Sequence, residues 1–400
     1  MAFGTIFAPN KMSACVANEA ASNFWRSCGP AHEQIEHRSQ EYLANRVVHA
    51  TEEALQYILS FSGEHDALVT CDYFAALIFS RASNEFIMCV EAMIEGSLIE
   101  AHASFVNGGG SCLGPNSSKG FVSFWSNIHK LRWRHFFDES MHSVFHRGIE
   151  RCVFSLCSAK YDSPMTEILN RWKVAVLLPW LQILEGGNHE GNRAHVRSID
   201  SLIHLANLVV DENFVRARVQ EFYDIIADFP ESMCAVAELR DTLSRTQQHQ
   251  LLARSLRSTL QRRLLHSGAS SSQIIDVYIS TIKVLRVIDP RDILLNVVAR
   301  PVRLYLQRRK DTVRCIVANL TDECSGELYE ELHRIDAPRV DYIGDSEDEH
   351  AEPGVDWVPR SNKSLVSNSS WIGDILSMLI SIYGSKEIFV NEYRFMLADK

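Results

Sequence analysis

With 400 residues, 46% of them hydrophobic and 22% charged, the chain is too apolar for a wholly disordered protein. It is long enough for two or three domains or for an array of small helical units. The formal net charge is −10, yet seven acids (Asp341, Asp345, Glu347, Asp348, Glu349, Glu352 and Asp356) crowd one stretch without Lys or Arg, and the remainder stands at −3 without them. That near-neutral body gives no electrostatic case for nucleic acid or a membrane surface as partner.

Ten cysteines are scattered with no CxxC pair and no ladder of spacings, which excludes a disulfide framework and a cysteine-paired zinc site and favours a reducing compartment. The beginning, "MAFGTIFAPNKMSACVANEAASNFW", lacks a basic region followed by a continuous apolar core, and no later apolar run is long enough to span a bilayer. The expected location is nucleus and cytoplasm.

Residues 1–30 read as an N-terminal tail. Beyond them, "EQIEHRSQEYLANRVVHATEEALQYILSF" places Ile35, Leu43, Val47, Leu55, Ile58 and Leu59 at helical intervals. The next segment continues with Phe74, Leu77, Ile78, Phe86, Cys89, Val90 and Met93. Such amphipathic stripes need partner helices. The stretch from Asn107 to Gly120, "NGGGSCLGPNSSKG", reads as a loop; its glycines and Lys119 are not in the GxxxxGK[ST] order of a phosphate loop, and no strand pattern precedes them.

Helices resume after the loop. His142 and His146, four apart, share one helical face as a pair of metal ligands would, but no Glu stands in an HExxH arrangement and no third ligand is evident. Ser163 followed by Pro164 is a helix start with Ser at the N-cap and Pro at N1, and also a minimal proline-directed phosphorylation site. "HEGNRAH" reads as the tip of a connection. The most regular part begins near Glu231. There Leu243, Leu252, Leu256, Leu260 and Leu264 form one face that stops at Gly268, a C-cap candidate. A second face carries Ile275, Tyr278, Ile279, Ile282 and Leu285. Asp289 reads as an N-cap with Pro290 at N1, Pro301 is expected to kink or break the helix that follows, and Asp311 caps another. The basic face of Arg300, Arg303, Arg308, Arg309, Lys310 and Arg314 is a candidate partner surface, with Arg303, Arg308, Arg309 and Lys310 at its centre; pairing with local acids is the competing account.

From residue 337 the composition changes to prolines, serines and the seven acids, which predicts a disordered linker over 337–371. Ser346, directly before Glu347, Asp348 and Glu349, is a candidate for acid-directed phosphorylation. After it, Ser385 is placed to cap a helix presenting Phe389, Tyr393, Met396 and Leu397. No period-two strand pattern is evident, so the fold class is all-α, an elongated array of helical bundles. No catalytic elbow, protease signature or dinucleotide fingerprint is present, and neither a cofactor nor a metal is implied.

The pieces "YISTIKVLRVIDP", "PVRLYLQRRKDTVRCIV" and "SIYGSKEIFVNEYRFMLAD", in that order and with an acidic linker between the last two, closely resemble the cullin-like second subunit of the anaphase-promoting complex. The resemblance is strong over the C-terminal two-fifths; the first 230 residues share only helical character and pieces such as "VAVLLPWLQIL". It implies a stalk of cullin repeats over 31–336, with possible sub-bundles 31–160, 161–268 and 269–336, then the linker, then at 372–400 the start of a cullin-homology domain. In that family the stalk docks on other subunits of a cell-cycle ubiquitin ligase. The cullin-homology domain grips the RING subunit, and the cullin-like subunit makes and breaks no bonds itself. The expectation is therefore a non-catalytic scaffold that binds other subunits of the complex, with the RING-binding part missing because the chain ends inside that domain. A helical-bundle tether of vesicle traffic, whose rods have similar periodicity, is the alternative.

Overall fold

A computed structural model describes residues 11–28, 40–61, 64–82, 84–108, 117–184, 193–309, 311–321, 379 and 386–398. Ser346, Lys310 and the expected linker lie outside them. The described residues are helical with short connections and contain no strand, so the fold is an all-α helical-repeat fold. By packing, the chain divides into two compact units, one of Met1–Leu156 with Glu167–Val210, the other of Cys157–Thr166 with Asp211–Lys400.

The first unit holds α1 (Lys11–Cys28), α2 (Gln40–Phe61), α3 (Glu64–Arg81), α4 (Asn84–Val106), α5 (Ser117–Lys130) and nearly all of α6 (Arg134–Cys157). Most of α7 (Met165–Trp172), a π-helical turn at Lys173–Leu177, α8 (Leu178–Leu184) and the first part of α9 (Arg193–Gln220) also belong to it. Where a tail was expected, α1 packs on α2 and α3, burying Val16, Ala17, Ala20, Ala21 and Phe24. Three of those five are alanines, which let the helices approach closely but raise little hydrophobic signal in a sequence.

Phe24 meets the rings of Phe74 at 6.2 Å and Trp133 at 5.5 Å, both edge to face, while Phe74 stacks on Trp133 at 5.7 Å. Trp133 reaches this cluster because α5 ends in a Schellman turn. Arg132 takes the left-handed conformation that glycine usually supplies (φ 58°), and Trp133 N–H donates to Ile128 O at 3.0 Å while Arg132 N–H donates to His129 O at 3.0 Å. Arg132 then pairs with Asp72 at 2.7 Å. Elsewhere in this unit Trp125 Nε1 donates to Leu184 O at 2.9 Å and Trp180 Nε1 to Ser97 Oγ at 2.9 Å, fixing α8 against α5 and α4. In the expected loop, Ser117–Gly120 instead begin α5, and 109–116 lie outside the described residues. Leu59, expected on the apolar face of α2, is 56% exposed, whereas Val47, Leu55 and Ile58 are buried.

The second unit is built from the rest of α9, α10 (Phe222–Ala227), α11 (Met233–Thr246), α12 (His249–Arg263), α13 (Ser271–Ile288), α14 (Ile293–Gln307), α15 (Thr312–Thr321) and α16 (Lys386–Ala398). At its centre α13 is packed by α10, α11, α14 and α15. That position explains its composition, since Ile274, Ile275, Tyr278, Ile279, Ile282 and Leu285 are all at most 1% exposed. The leucine face read from the sequence is also buried, but it is carried by two helices. The chain turns at Gln247, which has φ 57° and donates its N–H to Leu243 O at 2.9 Å. Gly268 shows no positive φ and is not the terminus of α12, which ends at Arg263.

Two proline-based expectations change. Pro301 lies inside α14 without ending it: Val298, Ala299 and Val302 around it are buried, and their packing carries the helix past the missing donor. Before α14, the N-cap is Asp292 and not Asp289, which ends α13, because the chain makes a further turn before Ile293; the Asp289 side chain still reaches the start of α14. Its carboxylate accepts from Leu294 N–H at 2.9 Å and Arg291 N–H at 3.2 Å. Asp292 adopts φ 60° and accepts two hydrogen bonds from the Arg286 guanidinium, at 3.0 and 3.1 Å. Helix α7 begins at Met165, one residue past the expected Pro164, and its Thr166 N–H is capped at 2.7 Å by Glu238.

Candidate interaction surfaces

The predicted basic face is divided by the fold. Half-buried Arg303 donates through Nε to Tyr278 Oη at 3.1 Å. Arg309 donates to Ser271 Oγ at 2.9 Å, lies 5.2 Å over the Tyr305 ring, and shares Ser271 with Asp311, which accepts from that hydroxyl at 2.8 Å. Arg303 ties α14 to the middle of α13, and Arg309 ties the start of α13 to the residues between α14 and α15, so both are structural here. Arg300, Arg308 and Arg314 are exposed and make no ion pair with a described residue; Arg254 and Arg262 on α12, which packs against α14, are in the same state. Sequence reading missed the last two because spacing does not tell a paired arginine from a free one.

Ser163 lies, half-buried, in the connection between α6 and α7. Carboxylates hold both ends of this connection. Glu221 accepts from Ser158 Oγ at 2.7 Å and from Ala159 N–H at 3.2 Å, while Glu238 accepts from Thr166 N–H and from the Thr166 hydroxyl. Beneath it sits Arg218, 0% exposed, donating to Cys157 O at 3.2 Å with its guanidinium 5.3 Å over Phe214 and 5.8 Å over Tyr161. Its Nε and Nη2 find no hydrogen-bond partner among the described residues. Burial pushes the Cys157 thiol up to about 12 against the partial opposition of Arg218. Burial likewise raises Cys28 and Cys152 to about 12 and Cys71 to about 11, which removes these thiols as thiolate nucleophiles near neutral pH.

Other candidates do not assemble a reaction centre. His142 and His146 are both exposed on α6, and no cluster of three metal-ligating side chains occurs among the described residues. An open cleft of about 550 Å³ between α1 and α2 is lined by Asn23, Arg26, Ser27, Glu53 and Tyr57. Four of its polar groups pair off: Arg26 donates to Asn23 at 3.1 Å and Ser27 to Glu53 at 2.8 Å. On α16 Tyr393 is exposed, as are Val390 and Phe395; the side chains of Phe389, Met396 and Leu397 lie outside the description.

Two buried histidines make a pH prediction. His102 is 7% exposed, neither ring nitrogen has a hydrogen-bond partner among the described residues, and its ring meets Trp172 edge to face at 6.1 Å. Burial lowers its pKa; burial also lowers that of His249, with Asp289 opposing. A group whose folded pKa lies below its unfolded value is protonated more readily in the unfolded chain. Stability is therefore complete above the ordinary value of 6.5 and falls as pH drops below it. Urea midpoints at neutral and mildly acid pH should show this loss, and His102→Leu should remove part of the slope. A midpoint that is flat or rises on acidification contradicts it.

Residues 200–309 match the family model described as "ANAPC2-like, TPR repeats". Over 192 residues the chain is 44% identical to Anaphase-promoting complex subunit 2 of Homo sapiens and 45% identical to that of Mus musculus, each alignment covering 47% of this chain and 23% of the relative. The protein of the same name from Arabidopsis thaliana is 41% identical over 204 residues, which cover 46% of this chain and 23% of the relative. The chain thus spans about a quarter of the length of these curated relatives. The similarity read from the quoted C-terminal pieces is to this group of proteins.

Proposed function

We propose that these residues form a non-catalytic scaffold segment of a subunit-2-like protein of an anaphase-promoting complex, a cell-cycle ubiquitin ligase. The observation that carries the reading is 44% identity over 192 residues to the human subunit. The matched 200–309 stretch also runs through α9 to α14, which contribute most of the second unit's core, so the likeness lies in residues that build a fold. The segment docks on other subunits of the complex and does not by itself hold the RING subunit, which in the resembled family is gripped by the cullin-homology domain. Its contribution to the reaction is position and orientation. The place of action is nucleus and cytoplasm, and Ser163 and Ser346 are proposed phosphorylation positions.

A tagged copy of this chain, captured from dividing cells and analysed by mass spectrometry, tests the reading. Other subunits of the anaphase-promoting complex are expected, without the RING subunit, and with phosphate on Ser163 or Ser346. Recovery of chaperones alone would remove the docking role, vesicle-tethering proteins would overturn the family reading, and a stoichiometric RING subunit would overturn the division of labour.

A further inference from the structure

The charge of the second unit is uneven. Residues 249–320 contain thirteen Lys/Arg against four Asp/Glu, a net of +9. Those four acids are engaged locally. Asp276 accepts from Asn319 at 3.0 Å, Asp289 accepts from Leu294 N–H, Asp292 holds Arg286, and Asp311 accepts from Ser271. None of them neutralises the outward arginines. On α12 the exposed ridge is Leu251, Arg254 and Arg262; on α14, which packs beside it, the ridge is Arg300, Leu304 and Arg308. The two leucines are 40% and 48% exposed, so the α14 ridge offers an apolar centre flanked by cations and the α12 ridge an apolar end followed by two cations. Arginine next to apolar surface is a common form of anchor for an acidic partner.

The same chain carries the complementary charge. Between Asp341 and Asp356 lie seven acids and no Lys or Arg, interspersed with Tyr342, Ile343 and Val355. Nineteen residues lie between Thr321, the end of α15, and Asp341. A connection of that length spans up to about 70 Å, several times the roughly 22 Å length of α12. Tethering gives the segment an effective concentration on the order of millimolar, which a free acidic peptide seldom reaches. We propose that the ridges of α12 and α14 are a docking surface for this chain's own acidic segment, Asp341–Asp356. The surface then faces other acidic proteins only in competition with that segment. This inference is independent of the ligase reading.

A fluorescent peptide with the sequence of Asp341–Asp356 is titrated into the full chain and into a full chain whose seven acids are changed to Asn or Gln. The peptide should bind the neutralised chain at least tenfold more tightly, because the natural chain already occupies its ridge. Binding should weaken between about 50 and 300 mM salt. It should be lost in the neutralised chain that also carries Arg254→Ser, Arg300→Ser and Arg308→Ser, exposed changes whose folding is checked by circular dichroism. Equal affinity for the natural and neutralised chains means the ridge is open to external acidic partners and overturns the proposal. So does binding that survives the three serine changes, or peptide that binds neither chain.

Discussion

Replacing Phe24 by Ala should destabilise the first unit by about 3–5 kcal/mol, the usual cost of truncating a buried aromatic. Phe24 is 1% exposed and touches Phe74, Phe86 and Trp133, so its removal opens a cavity where α1, α3, α4 and the α5–α6 turn converge. The surrounding rings are large and already in contact with one another, which limits collapse into the space. Denaturant unfolding followed by circular dichroism should show the transition of the first unit displaced while that of the second stays in place. Met12→Ala on the same helix, at a site 66% exposed, should change little. If Phe24→Ala behaves like Met12→Ala, α1 is a dispensable tail after all. Deletion of α1 gives the same contrast more strongly, because α2 and α3 would expose the faces it covers.

The helix that this prediction concerns was also the one least legible in the sequence. Val16, Ala17, Ala20 and Ala21 have helical spacing, but alanine is as much a surface residue as a core residue, so the stripe does not stand out. By contrast, all five residues read onto the face of α13 are buried, because isoleucine, leucine and tyrosine at helical intervals have no common alternative to a core. Breaks were harder. Gln247 turns the chain with a left-handed conformation that no glycine or proline announces, and Pro301 announces a break that packing prevents. The chain passes between the two units at three places, Leu156/Cys157, Thr166/Glu167 and Val210/Asp211, all of them inside helices where composition gives no sign. Among the candidate surface residues, the sequence located the basic region but could not sort it. Arg303 and Arg309 point into hydrogen bonds with Tyr278 and Ser271, and Arg308 points out. Direction around a helix near its end depends on the cap, and the cap depends on contacts distant in the chain.

Arg218 presents the same difficulty in its sharpest form, since in the run "FVRARVQEF" it looks no different from Arg216, yet it is fully buried. Arg218→Met should destabilise the second unit by about 1–3 kcal/mol, the cost of leaving a buried hydrogen-bond acceptor without its donor. The reason is what remains. Glu221 and Glu238 act electrostatically with Arg218 on Cys157, and each keeps one buried carboxylate oxygen without a hydrogen-bond partner among the described residues. Removing the cation takes away the positive charge nearest Cys157 while both acids stay, and deletes the donor to Cys157 O and the ring contacts with Phe214 and Tyr161. Arg218→Lys should fall between the two, keeping charge while losing the planar group that lies over the rings. Adding Glu238→Gln to Arg218→Met should recover part of the loss if repulsion is its source, and the size of that recovery in urea unfolding measures the coupling. The opposite result would contradict this account. A methionine that packs as well as the guanidinium without its desolvation penalty would leave stability unchanged or raised. In that case Arg218 would be retained at a cost to folding, and its two unpartnered nitrogens would point to a role for the charge other than stability.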